Sequence, residues 1–237
     1  MNKIIPQLKM HYLNNKKSLI IFWTIMISIS LLGISLALYL RSRGIEGSVT
    51  TNNSAAIIIF AAIASAVSYS ETFPYVISIG CTRKDFIYGF IAYCISLSLV
   101  MSLAFNVLVL GDYTVFKLLG FNIQTFGYVG GEITLIRFCS NVLLHFTFLA
   151  AISALFGLII SITYLKGMMY LFGIGGLFIL SMFFPKAREF AFETMKFIGA
   201  TFVGLISPYK MIGLSSLFFF IFSLLIYPIT RITQVKR

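Results

Sequence analysis

Arg137, Asn141 and His145 recur every four residues, so a helix through them carries a single polar stripe. Inside an apolar segment such a stripe has two uses. It holds helices together by hydrogen bonds, with Arg137 snorkelling outward, or it lines a pathway or gate for cargo or an ion. Asn106 is a candidate partner for Arg137 or Asn141. The other histidine is His11, and Cys81, Cys94 and Cys139 form an odd set with neither metal-ligand spacing nor a disulfide framework. The sequence holds no Gly-x-x-x-x-Gly-Lys-Ser/Thr phosphate loop, no His-Glu-x-x-His and no Gly-x-Ser-x-Gly. With no nucleophile beside a base and no set of metal ligands, the residues argue against an enzyme, a bound metal or a cofactor.

A second constellation is the polar break at 71–85, Glu-Thr-Phe-Pro-Tyr-Val-Ile-Ser-Ile-Gly-Cys-Thr-Arg-Lys-Asp. Glu71 ends an apolar run, Pro74 strains any helix that continues through it, and Gly80 permits a turn before Arg83, Lys84 and Asp85 open the next run. Between them Phe73, Tyr75, Val76, Ile77 and Ile79 make a short apolar and aromatic helix with no obvious partner in the chain. It lies in the lipid headgroups, or it docks as a knob in a groove on a soluble partner.

The elements that position these residues are membrane spans. The chain of 237 residues is 59% hydrophobic and 11% charged, with a mean hydropathy of +0.98. An ordinary soluble domain is about a quarter charged. One all-α integral membrane domain, 1–237, is expected. Crossing the hydrocarbon core takes about 20 apolar residues, and six stretches qualify: 18–40, 54–70, 86–110, 133–163, 168–184 and 211–230. The first is too long for the core of a signal peptide and runs into Arg41-Ser42-Arg43 rather than a cleavage site. The fourth is over-long and should tilt or begin in the interface. With the N-terminus inside, ten Lys and Arg fall on the cytoplasmic side and eight outside. An even span count then leaves both basic termini cytoplasmic. The net charge of +11 sits mostly at span ends rather than along a basic stripe, which argues against nucleic acid.

The connecting segments differ in kind. Residues 1–17 alternate Ile4, Ile5, Leu8, Tyr12 and Leu13 with Lys3, Lys9, Lys16 and Lys17, as an amphipathic interfacial helix does; it serves as a membrane anchor alone, or it also offers a surface to a cytoplasmic partner. Residues 111–132 read as an exposed outer loop. At 185–208, a charged amphipathic piece, 186–196, precedes an apolar piece, 197–207, too short to cross, so a re-entrant segment is expected before the last span. Small residues fill the second span, and Gly173, Gly175 and Gly176 lie in the fifth; both sets permit close helix packing or line a passage. No internal repeat is evident, which weakens the case for a secondary transporter built from inverted halves.

The order of interfacial helix, six spans, elbow after the second span and re-entrant segment before the sixth resembles the permease subunit of ABC-2-type exporters. The segment Gly80-Cys81-Thr82-Arg83-Lys84-Asp85-Phe86 is similar to the elbow of small Gram-positive permeases of that type, Gly-x-Ser/Thr-Arg-Lys-Asp-Phe/Tyr, such as those of phenol-soluble modulin exporters. The resemblance implies that Glu71, Phe73, Pro74, Tyr75, Ile77, Gly80, Arg83, Lys84 and Asp85 belong to a cytoplasmic coupling helix seated on a separate ATPase. It further implies a bacterial cell membrane, a second permease subunit, identical or homologous, and spans two and five lining the passage between the two. With no ring of buried charge, an amphipathic or apolar cargo such as a short peptide or toxin is expected.

Two other classes remain open on the residues alone. A secondary carrier or channel would use the His145 stripe as an ion site and transport without an ATPase. A non-transporting immunity or sensor subunit would bind a partner through the elbow and move no cargo.

Overall fold

The computed structural model describes residues 4–44, 48–51, 53–120, 122–125, 134–167, 183–202 and 208–233, with 169–170, 172–173, 176 and 180. Its helices are α1 (Ile4–Ser42), α2 (Ser54–Ser78), α3 (Arg83–Leu118), α4 (Leu135–Lys166), α5 (Pro185–Phe202) and α6 (Pro208–Ile232). All but α5 are long and apolar enough to cross a membrane. The protein is therefore a membrane-embedded helical bundle, because in lipid a helix satisfies its own backbone donors and acceptors.

The loops expected after the first and third spans are not wholly irregular. Two short strands, β1 (Ser48–Thr51) and β2 (Asn122–Thr125), pair in parallel. Each follows a helix, and those helices run the same way: Gln7 of α1 packs on Gly89 of α3, and Ser30 donates to the Asp112 carboxylate, the same 82 positions on. The 23 residues between those contacts span about 35 Å, slightly more than the hydrocarbon core. α4 and α6 are parallel as well, with Leu144 beside Met211 near one end and Gly157 beside Ile226 towards the other. Lys166 and Pro208 accordingly lie at opposite ends of the bundle.

Several boundaries differ from expectation. The interfacial helix and first span are one uninterrupted helix, α1, because Gln7, His11 and Asn15 are buried against α2 and α3 rather than laid out in the interface. α3 runs on to Leu118 and takes in Asp112, expected in a loop. The amphipathic and apolar pieces at 186–207 have no break at their expected junction, since α5 continues to Phe202; residues 203–207 lie outside the described set. Most of the fifth stretch, 168–184, lies outside it too, with Gly175 among the undescribed residues.

The core belongs to the middle helices. The most apolar stretches of α2, α3 and α4 are 50%, 44% and 56% buried, against 6% for α1 and 11% for α6. Outward-facing Ile21, Leu32 and Leu36 of α1 and Phe220 and Leu224 of α6 therefore meet lipid or another chain. Gly157 permits close packing of α4 on α3: a Cβ there would collide with the Phe90 ring.

Candidate functional site

The elbow between α2 and α3 is built by three local devices. First, α2 does not stop at Pro74 but runs four residues further, to Ser78. Proline removes the N–H that would bond the Ser70 carbonyl four residues back, and the Tyr164 hydroxyl donates to that carbonyl at 2.6 Å. A residue 94 positions away thus satisfies the group the proline frees, and the expected separate elbow helix becomes the last turns of α2. Second, the helix ends in a paired closure: the Gly80 N–H bonds the Ile77 carbonyl and the Cys81 N–H the Val76 carbonyl, both at 3.1 Å. Gly80 takes φ +81°, the left-handed conformation this closure requires. Third, the Thr82 hydroxyl accepts from the Asp85 N–H at 3.2 Å and Asp85 lies in the first turn of α3, where a carboxylate favours the helix start.

Side-chain burial divides the expected coupling residues. Phe73 is 0% exposed, with ring centroids 5.6 Å from Tyr69, 5.1 Å from Phe86 and 5.7 Å from Tyr164. The expectation that it lacks a partner within the chain is therefore corrected; it is a core residue and cannot project as a knob. Pro74 and Ile77 are half-buried. Arg83 is also tied down, its guanidinium donating at 2.6 Å to the Arg231 carbonyl in the last turn of α6. Glu71, Tyr75 and Ile79 fall at successive i, i+4 positions on the opposite face, with Tyr75 53% and Ile79 59% exposed, and Lys84 is exposed just beyond. The sequence places Ile79 in the elbow; only the structure makes it one of its outermost apolar groups.

The stripe on α4 is likewise divided. Arg137 is exposed in the first turn of α4, whereas Asn141 and His145 are buried. His145 Nδ1 donates to the Asn141 carbonyl at 2.8 Å and its ring lies 5.0 Å from Phe105 of α3. On the facing helix Ser102 donates to the Val142 carbonyl at 2.6 Å, and Asn106 donates to the Ser102 carbonyl of its own helix at 2.9 Å. The Ser102 bond and the His145–Phe105 ring contact join α3 to α4, which favours the packing use of the stripe, whereas the His145 and Asn106 bonds each stay within one helix.

A third polar set was not legible as a site. Gln7, His11 and Asn15 are spaced by four on α1 and are all buried. Asn15 donates to Ser68 at 2.6 Å, His11 Nδ1 lies 3.3 Å from the Thr72 hydroxyl, and the His11 ring stacks on Tyr93 at 4.8 Å. Gly89 leaves room for Gln7, because a Cβ there would strike its side-chain oxygen. The available signal was the 7/11/15 spacing, masked by the lysines between those positions. Together these contacts clamp the start of α1 onto the same α2 and α3 turns that carry the elbow.

Among the described residues, no three His, Cys, Asp or Glu side chains come together as a metal site. The chain matches no known protein family, no curated protein and no solved structure.

Proposed function

We propose that the chain is the permease half-unit of an ATP-binding-cassette exporter, driven through its α2–α3 elbow by a separate ATPase. The observation that carries this reading is the mounting of the elbow. Tyr75 and Ile79 project from a turn whose other face is fixed by Phe73 in the aromatic core and by Arg83 on the end of α6. An exposed aromatic and aliphatic pair on a rigid support suits a docked helix, and a push on it passes directly into α2, α3 and α6. A helix floating in headgroups would need no such anchors.

Topology supports the same reading. α1 begins, α6 ends and the elbow turns at one end of the bundle, where Lys9, Arg83, Lys84, Lys166 and Arg231 lie in the terminal turns of their helices. By the positive-inside tendency that end is cytoplasmic, in a bacterial cell membrane. Since Lys166 and Pro208 lie at opposite ends, a sixth crossing between them is the economical path, with 185–207 returning to the outer face as a re-entrant segment. The unburied faces of α1 and α6 supply surface for a second permease subunit, identical or homologous. ATP-driven closure would shift the pair between inward- and outward-facing states, and transport follows from differential cargo affinity in the two. An amphipathic or apolar cargo, such as a short peptide, fits a bundle whose buried polar groups are mostly neutral.

The test is solubilisation and affinity purification of the chain from its native membrane, followed by an ATPase assay on what co-purifies. A soluble ATPase recovered in stoichiometric amount, and lost on replacement of Tyr75 and Ile79 by Ala, is the expected result. Cargo transport by the purified chain alone in liposomes would contradict the proposal.

A further inference from the structure

A groove of about 340 Å³ runs between the first half of α1 and the middle of α3. Leu8, Tyr12, Leu19, Leu97 and Val100 line it, and Lys9 stands on its lining at the elbow end. The eleven residues from Leu8 to Leu19 rise about 16 Å, close to the depth of one leaflet, half of the roughly 30 Å core. Lys9, Tyr12, Lys16 and Leu19 follow one another at i+3, i+4 and i+3, so Lys16 shares this face with Lys9 two turns away. Both lysines are exposed. The groove is thus apolar along one leaflet's depth, with Lys9 at its elbow end and Lys16 about 10 Å farther in, its long side chain able to reach back towards that end.

We propose that this groove binds one acyl chain of an anionic glycerophospholipid from the elbow-side leaflet, with the phosphate held by Lys9 and Lys16. The volume is at the low end for ligand sites and suits a single chain rather than a whole lipid. A second protein helix would have to bury two flexible ammonium groups, which a phosphate neutralises without that cost. Anchored there, the lipid braces the segment of α1 that clamps onto the elbow-bearing turns. The proposal requires only the membrane-embedded bundle and stands whether or not an ATPase is the partner.

Trp23 is the sole tryptophan of the chain and lies one turn beyond Leu19 on the same stripe, about 6 Å deeper. The full chain is reconstituted in phosphatidylcholine bilayers, and quenching of Trp23 is compared for phosphatidylglycerol and phosphatidylcholine, each brominated at mid-chain. Attraction to one lysine near the surface is worth about a fivefold preference. Brominated phosphatidylglycerol is expected to bind at least that much more tightly, with the preference falling within twofold in a K9Q/K16Q variant. Ser96→Phe, which fills the groove while keeping both ammonium groups, is expected to abolish the preference too. Persistence of the preference in Ser96→Phe would place the lipid on surface lysines and overturn the proposal. So would equal quenching by the two lipids, or none by either, the latter meaning that protein, such as a second copy, covers the groove.

Discussion

Tyr164 and Pro74 form a pair whose logic is testable by substitution. Because Tyr164 supplies the donor that proline withholds from the Ser70 carbonyl, Tyr164→Phe should destabilise the chain by about 1 kcal/mol, as loss of a half-buried hydrogen bond does. In a Pro74→Ala background residue 74 regains its N–H, and the same change should cost markedly less. Thermal unfolding of the four proteins in detergent measures that coupling, and equal losses in both backgrounds would refute the assignment. Phe73→Ala removes a fully buried ring and should cost about 3–5 kcal/mol, seen as lower membrane abundance and earlier unfolding. Tyr75→Ala should leave both near wild type. The contrast separates a core residue from a docking residue two positions away, about 3 Å of helix rise and roughly half a turn around the helix.

At the scale of elements, the turn was legible and the helix before it was not. Gly80, Thr82 and Asp85 announce a helix end, a cap and a helix start through local chemistry alone. The continuation of α2 through Pro74 depends on Tyr164, and the burial of Phe73 on Phe86 and Tyr164, contacts that no local pattern contains. For the same reason α1 reads as two pieces in sequence: its lysines mark an interface, while its clamp is made by Ser68, Thr72 and Tyr93 of other helices. The stripe on α4 was visible as a period of four, but the Ser102 and Phe105 that face it belong to α3, and no local pattern pairs them with it. As His145 lies in that α3–α4 contact, His145→Ala should leave ATP-driven export within a few-fold at matched membrane levels, since such bonds contribute under about 2 kcal/mol. Complete loss of flux would instead favour an ion-site role.

For the whole molecule, the alignment of α1 with α3 and of α4 with α6 fixes which ends lie together. In a chain lacking its three native cysteines, a single cysteine at Lys84 should react with an impermeant maleimide only after the membrane is opened. One at Lys196, exposed on α5, should react in intact cells. Reversed labelling would invert the proposed orientation, and labelling of both from one side would remove the sixth crossing. The bundle itself was legible because lipid solvates apolar helices and makes hydropathy a strong signal. The paired strands were not, since two four-residue segments 74 positions apart meet only because α1 and α3 run parallel.

The central claim is that the exposed face of the elbow seats an ATPase. Buried aromatic and aliphatic anchors commonly carry about 2 kcal/mol or more each at an interface, so losing one should weaken association roughly 30-fold. The direct measurement is the affinity of the co-purified ATPase for Tyr75→Ala, Ile79→Ala and Glu71→Ala chains, each at wild-type membrane abundance and thermal stability. The account predicts a loss of about 30-fold or more for Tyr75→Ala or Ile79→Ala, with ATP-dependent cargo release falling in parallel, and a smaller change for the rim charge Glu71. Unchanged affinity and unchanged release in all three variants would contradict it.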